Sequence, residues 1–143
     1  MLELRHIHKY YNPGTISEMC LFQDFNLEIQ KGEFVSVVGS NGSGKTSMLN
    51  LICGSIGLDE GQILIDGKDI TRQKEYKRLK RIGRVYQNPA MGTCPEMTIL
   101  ENLSMADCKG GFFGLQRGTD KKRIPYYQEL LSQLGLGLED KLY

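Results

Sequence analysis

Eight consecutive residues, Gly39-Ser40-Asn41-Gly42-Ser43-Gly44-Lys45-Thr46, fit the pattern G-x-x-x-x-G-K-[ST]. Their types suit one task, which is holding a chain of phosphates. Such a chain packs several negative charges into a short span and needs many donors. Glycines let the backbone curl until successive N–H groups point inward as a nest for an anion. A helix that begins where the loop ends adds its unpaired amides and the positive end of its dipole. Lys45 brings a full charge toward the β- and γ-phosphates, and the hydroxyl of Thr46 can bind Mg²⁺. An ordinary glycine-rich turn could match the pattern by chance, so the flanks matter. Before the loop, Phe34-Val35-Ser36-Val37-Val38 is a short β-branched run bounded by glycines and reads as a buried central strand. After it, Met48, Leu49, Leu51 and Ile52 read as one side of a helix ending near Gly54 or Gly57.

Other chemistry-bearing residues carry weaker signals. Cys20, Cys53, Cys94 and Cys108 lie far apart with no Cys-x-x-Cys pair, so they read as isolated reduced thiols. His6 and His8 alternate in a strand-like stretch, and two imidazoles without a third ligand make a poor metal site. Both read as solvent-facing or edge positions. Arg72, Lys74, Lys77, Arg78, Lys80 and Arg81 form a basic stretch that reads as a solvated helix face, with Leu79 and Ile82 turned inward. Across the chain, 18 Lys plus Arg balance 17 Asp plus Glu, a net charge of +1, so no overall field draws it onto nucleic acid or an anionic membrane. With 40% hydrophobic and 24% charged residues in 143, the composition is that of a globular chain of one domain, or one and part of another. Neither a membrane-spanning apolar run nor a signal-peptide layout is present, and the chain reads as intracellular.

The elements that must position the loop follow from periodicity. Leu2, Leu4 and Ile7 alternate as in a half-buried strand, and Asn12-Pro13-Gly14 is turn chemistry. Residues 20–29 form a second strand candidate with Leu21, Phe25, Leu27 and Ile29. Asp66-Gly67, between Ile63-Leu64-Ile65 and Ile70, predicts a two-residue hairpin. Residues 82–86 predict another short strand, and residues 109–118 a loop. Thr98-Ile99-Leu100-Glu101 is a capping box opening a helix through Leu103 and Met105. A last helix over about 119–134 places Ile124, Tyr127, Leu130, Leu131 and Leu134 at helical spacing, with Gly135 as its stop. Pro125 would suit a start near Ile124 instead.

Taken in order, Lys9-Tyr10-Tyr11, Phe25-Asn26-Leu27-Glu28-Ile29, Gly32-Glu33-Phe34-Val35, the phosphate loop, Gly61-Gln62-Ile63, Ile82-Gly83-Arg84-Val85-Tyr86-Gln87 and Thr98-Ile99-Leu100-Glu101-Asn102-Leu103 cover nearly the whole chain. Together they resemble the ATP-binding subunit of an ATP-binding cassette (ABC) transporter, from its N-terminus to just short of the signature sequence. The resemblance implies an α/β fold. It consists of an incomplete P-loop NTPase core with an N-terminal antiparallel β-subdomain over about 1–87, then the start of a helical subdomain over about 88–143. The implied cofactors are ATP and Mg²⁺. An aromatic after the first strand stacks on adenine in this family, which points to Tyr11, with Tyr10 a close rival. Gly39 and Ser40 open the loop, and Asn41, Gly42, Ser43, Gly44, Lys45, Thr46 and Ser47 wrap the phosphates, Ser47 near the α-phosphate. Gln87 takes the place of the glutamine that contacts Mg²⁺ or the attacking water. Residues 88–97 would engage a coupling helix of a transmembrane permease subunit. A second nucleotide-binding subunit would pair with this one on ATP binding, at the inner, cytoplasmic face of a membrane. No nucleic-acid partner is expected.

No Leu-Ser-Gly-Gly-Gln stretch and no apolar strand ending in Asp-Glu follows the loop. The chain is therefore expected to bind Mg-ATP without turning it over, and to be the N-terminal portion of a longer ATPase. Two other classes stay open at this level. One is a soluble ABC protein acting on ribosomes or DNA. The other is a different P-loop enzyme, against which the lack of an Asn-Lys-x-Asp motif excludes the usual guanine reader.

Overall fold

The computed structural model describes residues 1–109 and 118–143, which fall into two compact units, Met1–Gly83 and Arg84–Tyr143. In the first unit, β1 (Leu2–Tyr11) runs antiparallel to β2 (Met19–Ile29) on one side and to β3 (Glu60–Ile65) on the other. The two-residue β4 (Lys68–Asp69) closes the order β2-β1-β3-β4. The hairpin expected at Asp66-Gly67 is present. Both residues are left-handed, at φ 50° and 71°, as the mirror-image turn between twisted strands requires. The N-terminal ammonium lies 2.8 Å from Asp66 Oδ1, and the N–H of Asp66 donates to Met1 O at 2.8 Å, so strand and turn are tied together.

Helix α1 (Lys45–Cys53) lies on one face of this sheet. Its Met48, Leu51 and Ile52 are buried with Leu4, Ile7, Ile63 and Ile70, and Phe22, Phe25 and Leu27 of β2 pack against them. Burying each such side chain is worth about 1.5–3 kcal/mol. Leu49 was expected on the same side but is 53% exposed. It stands roughly 100° around the helix from Met48, at the margin of a stripe centred on residues 48, 51 and 52. Gly54 ends the helix at φ 88°, its N–H reaching Asn50 O and Leu51 O.

The sheet bends where three strands meet. His6 in β1 and Asp24 in β2 both take left-handed φ angles near 50°, and Gly61 in β3 takes 105°. A Cβ on Gly61 would lie 2.7 Å from Arg5 O, so only glycine lets β3 pass β1 there. His6 Nδ1 lies 2.6 Å from Asp24 Oδ1, and the N–H of His6 donates to Asn26 Oδ1 at 2.8 Å, which holds the bend from the outside. His6 is exposed and hydrogen-bonded to Asp24 at this corner, and the described residues contain no group of three or more His, Cys, Asp or Glu able to hold a metal. All four cysteines are free thiols, with Cys53 buried and the others exposed.

The basic stretch departs from its reading. Its only helix is the four-residue α2 (Glu75–Arg78), and Arg78 is 3% exposed. The guanidinium donates to Thr71 O at 2.6 Å, Leu51 O at 2.7 Å, Gln73 O at 2.9 Å and Ile52 O at 3.2 Å. Arg78 thus meets the carbonyls at the C-terminal end of α1, where a cation suits the dipole. Burial lowers its affinity for the proton.

Residues 34–38 and 82–86, both expected as strands, form none. A strand exists only through a neighbour's backbone ladder, and among the described residues neither run joins one. Phe34 is 97% exposed and Val38 88%.

In the second unit, α3 (Ile99–Asp107) opens on the expected capping box. Glu101 N–H donates to Thr98 Oγ1 at 3.2 Å, and Thr98 N–H to Glu101 Oε2 at 2.8 Å. The last helix, α4 (Ile124–Ser132), starts at Ile124 with Pro125 in its first turn; residues 121–123 form a single 3₁₀ turn before it. Leu100, Tyr127, Leu131 and Leu142 form a second small core, edged by Ile99, Leu103, Ile124 and Leu138. Of the residues expected at helical spacing, Leu130 and Leu134 are exposed, and Leu134 lies past the end of α4. Most of the loop expected at 109–118 lies outside the described residues.

Candidate functional site

The phosphate loop leaves the unpaired run of residues 34–38 and enters α1. Gly42 and Gly44 sit at φ 83° and 88°, conformations that a side chain resists, and a Cβ on Gly39 would meet Ser43 Oγ at 2.7 Å. The loop therefore needs glycine at 42 and 44 for handedness, while a side chain at 39 would have to turn the Ser43 hydroxyl aside. Gly44 is the residue before the first turn of α1, and Thr46 and Ser47 lie in that turn, exposed and half-buried respectively. The amides of a first helical turn have no partner within the helix. Lys45 folds back over the loop, its Nζ 2.8 Å from Gly39 O, 2.7 Å from Ser40 O and 3.4 Å from Ser43 Oγ. No carboxylate of the described residues pairs with this ammonium, and residues 39–47 contain no acidic side chain. The result is a concentration of donors and positive charge with no anion of its own, which fits a phosphate chain.

The strand pair behind α1 brings the tyrosines to this region. A Cβ on Gly44 would lie 3.2 Å from Leu21 Cδ1 and 3.4 Å from Phe22 Cζ, so β2 abuts the loop there. Phe22 pairs with Lys9, and directly opposed residues share a face of the sheet. Phe22 packs on the core that α1 covers, so Lys9 shares that face; the register shifts between Lys9 and Tyr10, and it is contact with Lys9 that places the Tyr11 ring. Lys9 Nζ stands 5.7 Å from the centre of the Tyr11 ring, in keeping with this. Tyr10 pairs with Cys20, and its hydroxyl is pushed toward higher pKa by burial and by the neighbouring thiol.

Residues 22–142 match the ABC transporter family. The chain belongs to that family. Its curated relatives include the tyrosine transport ATP-binding protein of Clostridioides difficile, 43% identical over 99% of this chain and 56% of the relative. Another is the spermidine/putrescine import ATP-binding protein of Haemophilus influenzae, 44% identical over 73% of this chain and 26% of the relative. The chain thus spans about half the length of the first and a quarter of the second. Among solved structures, a nucleotide-free ATP-binding cassette from an ABC transporter matches with TM-score 0.71 at 26% identity, over 100% of this chain and 56% of that one. A dimeric cassette in a post-hydrolysis state with ADP and Pi matches with TM-score 0.74 at 28% identity, over 100% of this chain and 61% of that one. These likenesses make the fold that of an ABC ATPase cassette, an α/β P-loop NTPase.

Within this ABC chain the other sequence-derived site residues belong to the second unit. Gln87 is exposed just before Asn88, whose Oδ1 accepts the N–H of Ala90 at 3.1 Å and starts a short 3₁₀ turn over Pro89–Met91. The stretch 88–97 has more order than turn residues suggest, and Asn102 is the reason. From α3, its Oδ1 accepts the N–H of Cys94 at 2.8 Å, while its Nδ2 lies within 3.0–3.1 Å of the carbonyls of Cys94, Met97 and Thr98. Met91 and Met97 remain exposed on this surface.

Three contributors escaped the sequence reading. Phe22, Asp59 and Arg78 support the loop, the tyrosines and α1, and no local pattern marks any of them. The bonds of Arg78 span from 5 to 27 residues along the chain.

Proposed function

We propose that this chain binds Mg-ATP through Gly39, Ser40, Asn41, Gly42, Ser43, Gly44, Lys45, Thr46 and Ser47, as part of the ATPase subunit that energises solute transport across a membrane. One observation carries the reading. The ammonium of Lys45 lies over a glycine loop at the start of α1, 2.8 and 2.7 Å from two loop carbonyls, with no acidic partner. Phosphate oxygens compete well for such an ammonium, because they meet its charge with a full negative charge where the loop carbonyls offer only a dipole. Lys45 then turns from its own loop to the phosphates, and the amides of the first turn of α1 hold them. Thr46 would offer a hydroxyl to Mg²⁺, an ion that takes few protein ligands. Tyr11, beside Lys9, stacks on adenine, and Gln87 contacts the metal or the attacking water. Bound Mg-ATP supplies the energy of a phosphoryl bond; what these residues do is bind and orient it.

The names of the relatives, tyrosine transport and spermidine/putrescine import, support a role in solute uptake. In that role residues 88–97 contact a transmembrane permease subunit, and a second nucleotide-binding subunit joins when ATP binds, at the cytoplasmic face of the membrane. The dimeric cassette among the structural relatives supports the second partner. Calorimetric titration with Mg-ATP tests the site. Lys45→Ala is expected to weaken binding by at least about tenfold, the loss of one charge-assisted bond. Unchanged affinity would refute the assignment.

A further inference from the structure

β1 outruns β3. The ladder between them ends with His8 opposite Glu60, so Lys9, Tyr10 and Tyr11 extend beyond it on that side. Asp59, the residue just before β3, occupies the gap with three bonds. Its N–H donates to His8 O at 3.2 Å, its Oδ2 accepts the N–H of Tyr10 at 2.7 Å, and its Oδ1 accepts from Lys9 Nζ at 3.0 Å. Lys9 is no loose surface cation: its side chain is 14% exposed, and its ammonium stands 5.7 Å from the centre of the Tyr11 ring.

We propose that Asp59 is a positioning residue for the base-stacking platform, fixing the course of β1 through the Tyr10 amide and the ring of Tyr11 through Lys9. This rests on the reading of Tyr11 as the residue that stacks on adenine. The physical ground is pre-organisation. A tyrosine near the end of a strand that is paired on one side only, as Tyr11 is with Met19, samples several rotamers, and these must be given up when a base stacks on it. With its carboxylate on the backbone at Tyr10 and on the cation beside Tyr11, Asp59 settles both before ligand arrives. The carboxyl of Asp59 is held below the ordinary range, chiefly by the Tyr10 N–H and further by Lys9, so the anion persists at neutral pH.

The test titrates the chain and its variants with Mg-ATP and, separately, with Mg-tripolyphosphate, which has the phosphates and no base. Asp59→Ala is expected to weaken ATP by about three- to tenfold and leave tripolyphosphate unchanged. Tyr11→Ala is expected to do the same, and the double variant to bind ATP no worse than Tyr11→Ala alone. If Tyr11→Ala leaves ATP affinity intact, the stacking reading fails and the inference falls with it. If Tyr11→Ala weakens ATP and Asp59→Ala does not, the inference alone is overturned. It is overturned too if Asp59→Ala weakens both ligands equally, or if its effect persists in full beside Tyr11→Ala. Should Asp59→Ala fail to fold, Asp59→Asn carries the same comparison, with a smaller loss in the same direction.

Discussion

At Gly44 the backbone serves two neighbours at once. It sits at φ 88° as the residue that turns the phosphate loop into α1, and it lies within reach of Leu21 and Phe22. Gly44→Ala therefore adds a methyl group where handedness and space both resist it. The left-handed conformation alone is worth about 1–2 kcal/mol against alanine. We expect the urea midpoint to fall accordingly and Mg-ATP affinity to fall with it, since the displaced turn carries the first amides of α1. A variant with unchanged midpoint and affinity would show that the loop tolerates another backbone path. The same scale explains why Arg78 was misread. In a run of six basic residues a solvated face is the natural expectation, and nothing local distinguishes the one whose guanidinium meets four carbonyls.

Among the elements, α3 and α4 are joined by one polar knot beside the second core. Arg123 Nε and Nη2 donate to the two oxygens of Asp107 at 2.8 Å each, and the Tyr127 hydroxyl donates to Oδ2 at 2.9 Å. These partners, Arg123 first and then Tyr127, hold the Asp107 carboxyl below its ordinary range. The folded state therefore prefers the ionised form. Its contribution is complete above the unfolded value near pH 4 and is lost as pH falls through the lower folded value. Amide protection factors in α3 and α4 should decline as pH falls below about 4, and Asp107→Asn should flatten that decline. Equal pH dependence in the two proteins would remove Asp107 from the account. The helix expected over about 119–134 proves shorter, beginning at Ile124 where Pro125 suits a start, while the capping box was legible because Thr98 and Glu101 are three residues apart. Leu130 and Leu134 were not, because periodicity marks a face without saying how much of it a partner covers.

For the whole molecule, legibility follows the range of the interaction. The antiparallel strands, the Asp66-Gly67 turn and the phosphate loop are written in residues close in sequence, and each stands where the pattern placed it. Residues 34–38 show the opposite. Their β-branched, apolar character reads as a buried central strand, yet a strand needs a second chain segment beside it, and among the described residues no ladder forms there. Phe34 and Val38 consequently present large apolar surfaces to water. A run of this kind is prone to pair with its like. The chain should bind a hydrophobic dye and scatter more light as concentration rises, and Val38→Lys should reduce both. Dye binding that ignores this substitution would place the adhesive surface elsewhere.

The anchoring of α1 has a mechanical consequence. Arg78 lashes the C-terminal end of the helix to the segment around Thr71 and Gln73, while its N-terminal end meets the loop through Gly44. One end of the rod is bolted and the other is hinged. If the proposed phosphate ligand shifts the loop, the anchored end of α1 leaves Gly42 and Gly44, both at positive φ, as the positions to take up the change.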